Sequence, residues 1–227
     1  MVTTAAQDYL KSIYKLQNGT PPVETVNTSM IAEKMQVAAA SATNMVKKLA
    51  EIGLLQHTPY HGVELTPAGE TVALEVIRHH RLLEAYLTQA LGYDWDEVDE
   101  EAERLEHVIS EDFEERIDKA LGHPTVDPHG APIPSKQGMI PEARHVSLGD
   151  LLPGRQTTVG QVSDRDPDML REMDARGLRP GAGVEVIGPS PDGEGIRVQV
   201  EGAGEHTLPV ALAARVYTVV VEGEGSA

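Results

Sequence analysis

Imidazoles and carboxylates that recur three or four residues apart on a helix share one face and can close on a common cation. His80 and Glu84 stand four apart, and Asp99, Glu103, Glu106 and His107 fall at offsets 0, 4, 7 and 8. On one continuous helix from about Asp96 to Val108, the second set forms a single ridge. Val98, Ala102, Leu105 and Val108 border that ridge closely, which places the carboxylates near the core, and several carboxylates gathered there need a cation. Glu100, Glu101, Glu111 and Glu114 read instead as a solvated acidic face. His79 is turned about 100° from His80, so His80 is the one that joins Glu84. Asp8, flanked by core positions near the N-terminus, is either a further ligand or simple compensation of a helix dipole. His57, His61, His123, His129, His145 and His206 fall in turns or strands without ligand spacing and read as surface histidines. A site of oxygen and imidazole donors without sulfur suits Mn²⁺ or Fe²⁺; zinc fits it less well, and Mg²⁺ does not normally recruit histidine.

These residues need elements to hold them. Thr4 can cap a helix whose apolar face is Ala6, Tyr9, Leu10, Ile13, Tyr14 and Leu16, ending at Asn18-Gly19. Thr28 or Ser29 then caps a short helix from Met30 to Met35, and Ser41 or Ala40 opens a second that runs to Ile52 and stops at Gly53. That is helix-turn-helix spacing. Two β-prone runs, Leu54–His57 and Val63–Leu65, surround Pro59-Tyr60-His61-Gly62 and form a two-stranded wing. Thr66-Pro67 caps a long helix to Gly92, and Ser110-Glu111-Asp112 starts another that ends at Leu121-Gly122. Long helices with apolar stripes need partners, and a helical homodimer is the expectation. Residues 123–134, dense in proline and glycine, predict a linker with defined turns. Beyond Ser147 the period becomes that of strands, at 157–159, 184–187, 196–200, 206–208 and 216–221, with a short helix over 168–176. Five short strands with glycine turns predict a small barrel, and residues 222–227 read as a disordered tail.

The fold class is thus mainly α with a small β part. Its expected modules are 1–65, a winged helix-turn-helix; 66–122, a helical metal-binding and dimerisation domain; 123–146, a linker; and 147–222, a barrel. With 227 residues and 40% hydrophobic content the chain can bury a core, and no apolar run is long enough for a membrane helix. The absence of cysteine excludes disulfide scaffolds, zinc ribbons, iron–sulfur clusters and thiol catalysis. No basic-then-apolar signal opens the chain, so a cytoplasmic location is expected. The net charge of −17 argues against a nucleic-acid partner, but its distribution reverses that reading. Residues 1–65 carry five Lys, no Arg and five acids, whereas residues 66–122 hold five bases against sixteen acids. A neutral winged module can therefore approach double-stranded DNA. Ser41, Thr43 and Asn44 are candidates for base edges, Lys47 and Lys48 for phosphate, and Thr58, Tyr60 and His61 of the wing for the backbone. The alternative is that Ser41 only caps and the lysines only solubilise.

The order of parts resembles the diphtheria toxin repressor family of iron- and manganese-dependent transcriptional regulators. The resemblance rests on Asp8-Tyr-Leu-Lys-Ser-Ile-Tyr14, Ile31-Ala-Glu33, Val46 to Leu55, Leu65-Thr-Pro-Ala-Gly69, His80-Arg-Leu-Leu-Glu84, Glu103-Arg-Leu-Glu-His107 and Pro128-His-Gly-Ala-Pro-Ile-Pro134. It implies a winged helix, a helical dimerisation and metal domain, and a C-terminal SH3-like, FeoA-type barrel. It also implies a repressor that binds a palindromic operator as a homodimer and controls metal-homeostasis genes. The primary metal site it implies uses Asp8, Glu103, Glu106 and His107, with His80 nearby. Acids at the first two of these positions are similar to the manganese branch, where the iron branch has methionine and cysteine. Lys11 departs from that branch, which has a glutamate there to help hold a second ion. An ancillary site similar to the iron branch's would use His80, Glu84 and Asp99, with barrel ligands near Gln161 and Asp164.

Two other classes compete. Helical carboxylate and histidine ligands also build di-metal hydrolases and oxidases. Here the duplicated four-helix pattern is missing, and so are a nucleophile motif and a phosphate-binding glycine loop; Gly181-Ala-Gly183 precedes a strand. The second competitor is a winged-helix regulator that answers to an organic ligand, with its acids merely solvated. Metal-independent operator binding distinguishes it.

Overall fold

The computed structural model describes residues 2–19, 23, 25–58, 62–141, 145–163 and 166–219. Tyr60, His61, Asp164 and the tail 222–227 lie outside the described residues. Two compact units are present: Met1–His79 with Glu106–Ile109 and Pro134–Met139, and His80–Leu105 with Ser110–Ile133 and Ile140–Ala227.

In the first unit, helix α1 (Thr4–Gln17) is capped by Thr3, one residue earlier than expected, whose hydroxyl accepts from the Ala6 N–H at 3.3 Å. Helix α2 (Thr28–Lys34) is capped by Asn27, whose side chain accepts from the N–H groups of Ser29 and Met30 at 3.0 Å each. A tight turn with Gln36 at φ 53 leads into α3 (Ala39–Glu51). Neither Ser41 nor Ala40 opens that helix; Ala38 precedes it without a side-chain cap. Strands β1 (Leu55–Thr58) and β2 (Gly62–Leu65) pair antiparallel from Leu55↔Leu65 to Thr58↔Gly62, and an isolated antiparallel bridge joins Val26 to Val63 of β2. Leu10, Ile13, Ile31, Ala42, Val46 and Leu49 are fully buried where the three helices meet. The 25-residue helix α4 (Pro67–Leu91) starts at Thr66, whose hydroxyl accepts from the Gly69 N–H, and its residues are divided between the two units.

The second unit contains α5 (Val98–Leu105), α6 (Glu111–Ala120) capped by Ser110, and a six-stranded antiparallel sheet. Its strands are β3 (His145–Ser147), β4 (Gln156–Val162), β5 (Gly183–Pro189), β6 (Gly195–Val200), β7 (Gly204–Pro209) and β8 (Val216–Val219), in the order β3-β8-β4-β5-β6-β7. Helix α7 (Pro167–Ala175) is capped by Asp166, and a short α8 (Val210–Ala213) links β7 to β8. Register shifts at Val159/Gln161 and Val186/Gly188 bend the sheet over a core of Val159, Leu170, Met173, Val198 and Leu208. This is the SH3-like module. Strand β3 and helix α8 were absent from the sequence reading, because both are too short to show a period.

Two expectations are corrected. α5 ends at Leu105, so Glu106, His107 and Val108 form a turn, and the four acidic and imidazole residues do not share one helical ridge. Val108, expected on the apolar side, is 73% exposed. The proline-rich segment is a buried turn: Asp127, His129, Gly130, Ala131 and Ile133 are all inside.

Candidate metal centre

Asp8 projects from the second turn of α1, and Glu106 and His107 follow the end of α5. Within the first unit the three converge: Asp8 Oδ1 lies 2.6 Å from His107 Nε2, which is 3.3 Å from Glu106 Oε1. Glu106 is 1% exposed. His107 Nδ1 lies 3.0 Å from Gln7 Oε1, a contact that orients the ring and leaves Nε2 toward the carboxylates. His79 Nδ1 reaches the Glu106 carbonyl at 3.1 Å, and Lys11 Nζ meets both Glu106 oxygens at 2.8 and 2.6 Å. The dipole-compensation alternative for Asp8 accounts for none of these contacts.

The second unit holds another constellation. His80 Nε2 lies 3.1 Å from Asp99 Oδ1 and 3.6 Å from Glu84 Oε1, while its Nδ1 is 3.6 Å from Glu103 Oε2. Glu103 thus stands with His80, on the helical part of the expected ridge. Glu84 is itself 0% exposed and faces a residue the sequence reading misplaced. His129, expected at the surface, is 0% exposed, with Nδ1 3.4 Å from Glu84 Oε1. Asp127, which the sequence reading did not select, completes this group. Its Oδ1 accepts from the N–H groups of His129 and Ala131 at 2.9 Å each, so one carboxylate oxygen shapes the turn that presents the imidazole. Gly130 makes that turn possible: at φ 85, a Cβ there would run into the Gly160 carbonyl of β4. The available signal was the Asp-Pro-His-Gly order, an acceptor followed two residues later by a histidine and a turn glycine.

The electrostatics of this buried set are coupled. Burial opposes ionisation of Glu84, yet the charges of His80 and His129 hold its carboxyl well below the ordinary range. Burial likewise opposes a charge on His129, but Glu84 and then Asp127 carry it up to about 9. Asp127 is pushed up to about 7 by burial and by Glu84, against the pull of Arg81 and His129. Arg81 donates to the Pro132 carbonyl and stands 3.6 Å from Asp127 Oδ2. Among the described residues, the fully buried Glu84 carboxylate is met by side chains only through the long contacts to His80 and His129, at 3.6 and 3.4 Å. A buried carboxylate held only by long contacts to imidazole nitrogens is what a divalent cation would satisfy, and in each group three carboxylate and imidazole ligand atoms lie close enough to share one ion. Trp95, 4% exposed, packs against this region: its ring stacks on His129 with centroids 5.6 Å apart, the Arg179 guanidinium lies 4.8 Å from its centre, and its carbonyl is 2.7 Å from His129 Nε2.

Gln161 stands half-buried on β4, paired with Tyr217; the next residue, Val162, donates its N–H to the His129 carbonyl at 2.9 Å. On α3, Ser41, Asn44, Lys47 and Lys48 are exposed, while Thr43 is half-buried and donates its hydroxyl to the Ala39 carbonyl at 2.8 Å.

A winged helix-turn-helix, helices that present carboxylate–imidazole clusters, and an SH3-like sheet define a metal-dependent DNA-binding regulator. Comparison with known proteins agrees in each part. Residues 1–63 match the iron dependent repressor N-terminal DNA binding domain, residues 66–135 the iron dependent repressor metal binding and dimerisation domain, and residues 146–219 the FeoA domain. The chain is 34% identical over 218 residues to the iron-dependent repressor IdeR of Mycobacterium tuberculosis strain H37Rv, covering 90% of this chain and 92% of that one. It is 30% identical over 190 residues to the diphtheria toxin repressor of Corynebacterium glutamicum, covering 79% of this chain and 82% of that one. Among solved structures, a manganese-dependent transcriptional repressor in complex with manganese superposes with TM-score 0.88 at 38% identity, over 95% of this chain and all of that one. ScaR with bound Zn²⁺ gives 0.79 at 32%, covering 95% of this chain and 99% of that one. The chain belongs to the iron- and manganese-dependent transcriptional repressor family, to which the diphtheria toxin repressor also belongs. That family consists of DNA-binding repressors that depend on divalent metals, and not of enzymes. Among the described residues no helix is long and apolar enough to cross a membrane.

Proposed function

We propose that this chain is a cytoplasmic repressor of metal-homeostasis genes that binds a pseudo-palindromic operator as a homodimer when Mn²⁺, or Fe²⁺ in its place, is bound. The observation that carries the reading is the meeting of Asp8 of α1 with Glu106 and His107, the two termini of a 2.6 Å contact being a carboxylate oxygen and an imidazole nitrogen. The oxygen-rich, sulfur-free donor set favours Mn²⁺ or Fe²⁺, and the manganese-bound relative supports the first. Asp8, Glu106 and His107 form the primary site, to which the resemblance adds Glu103 with His80. Glu84 is shared by an ancillary group with His80 and Asp99 and by the buried group with Asp127 and His129; Gln161 and Asp164 complete the set of barrel candidates. The borders 1–65, 66–122, 123–146 and 147–222 are retained as the division of labour.

A divalent ion would supply charge neutralisation and a fixed geometry among these donors. Asp8 would then anchor α1, and with it the recognition helix α3 that packs on the same core, to the turn after α5. Fixing that geometry governs the spacing of two recognition helices in a dimer. It outweighs the relief of acidic repulsion, which salt screens within about 8 Å. Ser41, Thr43 and Asn44 would read base edges, Lys47 and Lys48 would meet phosphates, and Tyr60 of the wing would touch the backbone.

The test is fluorescence anisotropy on the promoter of a metal-uptake gene, with Mn²⁺ and Fe²⁺ titrated against wild type, Asp8→Ala and Glu106→Ala. Binding by wild type only with metal, and failure of both variants at the same metal concentration, is the expected result, and the order of activation ranks the ions. Equal binding by all three without metal would overturn it in favour of a regulator that answers to an organic ligand.

A further inference from the structure

Lys11 is a residue the metal reading does not use. It sits on α1 one turn beyond Asp8, is 4% exposed, and places its ammonium 2.8 and 2.6 Å from the two oxygens of Glu106, itself 1% exposed. Lysine is almost never this deeply buried unless paired, because removing an ammonium from water costs more than a single contact returns. A structural pair would be satisfied anywhere in the core. This one lies on the carboxylate that also approaches His107, within the group that Asp8 completes.

The charge at the cluster follows. With His107 neutral, as a ligand must be, and with Glu103 facing His80 instead, the two carboxylates of the Asp8–Glu106–His107 group against one ammonium leave a single negative charge. One divalent ion reverses that charge by the same amount; a second would leave a large uncompensated positive charge in a buried site, next to a cation that cannot leave because it is tethered to α1. We propose that Lys11 is a built-in counter-cation of the Asp8–Glu106–His107 cluster. It holds the carboxylates together before metal arrives, limits the cluster to one divalent ion, and sets how much metal the site needs. This rests on the reading of the cluster as a metal site.

The test uses the full-length chain and counts bound Mn²⁺ by electron paramagnetic resonance, taking as the cluster's share the ions lost in Asp8→Ala. The unsubstituted protein should bind one Asp8-dependent ion, with no exchange-coupled signal. Lys11→Met, which keeps the length and removes the charge, should bind that ion on the order of tenfold or more tightly, since a unit charge at contact range is worth at least that much in a partly screened site. Its metal-free melting temperature should fall, and the rise on adding Mn²⁺ should exceed that of the unsubstituted protein. Lys11→Arg should remain within about threefold of the original affinity, its charge being kept. Lys11→Glu, refolded with Mn²⁺ where necessary, should take a second ion with an exchange-coupled spectrum, which keeps the proposal testable where Lys11→Met does not fold. Two Asp8-dependent ions in the unsubstituted protein, or unchanged affinity in Lys11→Met, overturns the role of Lys11 and leaves the metal site standing. No Asp8-dependent ion at all overturns both.

Discussion

Asp127 shows how much one side chain can carry. Its Oδ1 takes two backbone N–H groups and its Oδ2 faces Arg81, so the residue both builds the turn and balances charge. Asp127→Asn keeps the acceptor and should cost little, whereas Asp127→Ala leaves two buried N–H groups without a partner and should cost about 1–3 kcal/mol. Urea denaturation monitored by far-ultraviolet circular dichroism separates the two. On the DNA side, Lys47→Ala should weaken binding to every duplex alike and lower the salt slope by about one, while Asn44→Ala should relax preference at one base pair. Anisotropy on matched and mismatched duplexes over a salt series measures both; equal losses for the two variants at every salt and every duplex would sink the assignment.

At the scale of elements, α1 links the core to the chemistry. Leu10 and Ile13 on its buried face are 0% exposed, and Asp8 and Lys11 flank them. Leu10→Ala should cost about 2–5 kcal/mol and weaken metal binding through the lost position of its neighbours, which thermal melts with and without Mn²⁺ would register. Gly130 acts similarly for the second group. Gly130→Ala should destabilise by about 1–3 kcal/mol through the strain of a positive φ, with the β4 contact adding to it. A melt that shifts by less than one degree would show that the turn yields.

Elements with a sustained period were legible in the sequence. α4 declares itself over 25 residues between Thr66-Pro67 and Gly92, and α1 by its apolar rhythm. The end of α5 was not legible, because acidic and apolar positions keep a helical rhythm through Val108 while the backbone turns away at Glu106. That misreading concerned geometry: Glu103 stands with His80, and Glu106 and His107 meet Asp8. His129 escaped because burial in a turn of proline and glycine is set by tertiary contacts and leaves no period. Lys11 stood out only as a departure from the resemblance; its burial against Glu106, 95 residues away in sequence, is a tertiary fact.

For the whole molecule, an acidic chain that binds DNA must concentrate its approach in one place. The exposed Lys47 and Lys48 on α3 belong to a module without net charge, while the acids crowd into residues 66–122. Affinity for non-specific DNA should therefore be weak, leaving the specific complex to depend on correct spacing.

Trp95 gives that dependence an optical handle. It is the chain's one tryptophan, and it is held between the Arg179 guanidinium and the His129 ring beside the buried Glu84–Asp127–His129 group. Its indole emission is thus a native lamp wired to that group. Loading there should alter brightness or colour in wild type and leave both unchanged in Glu84→Gln, so the chain announces the state of its second cluster without any attached dye.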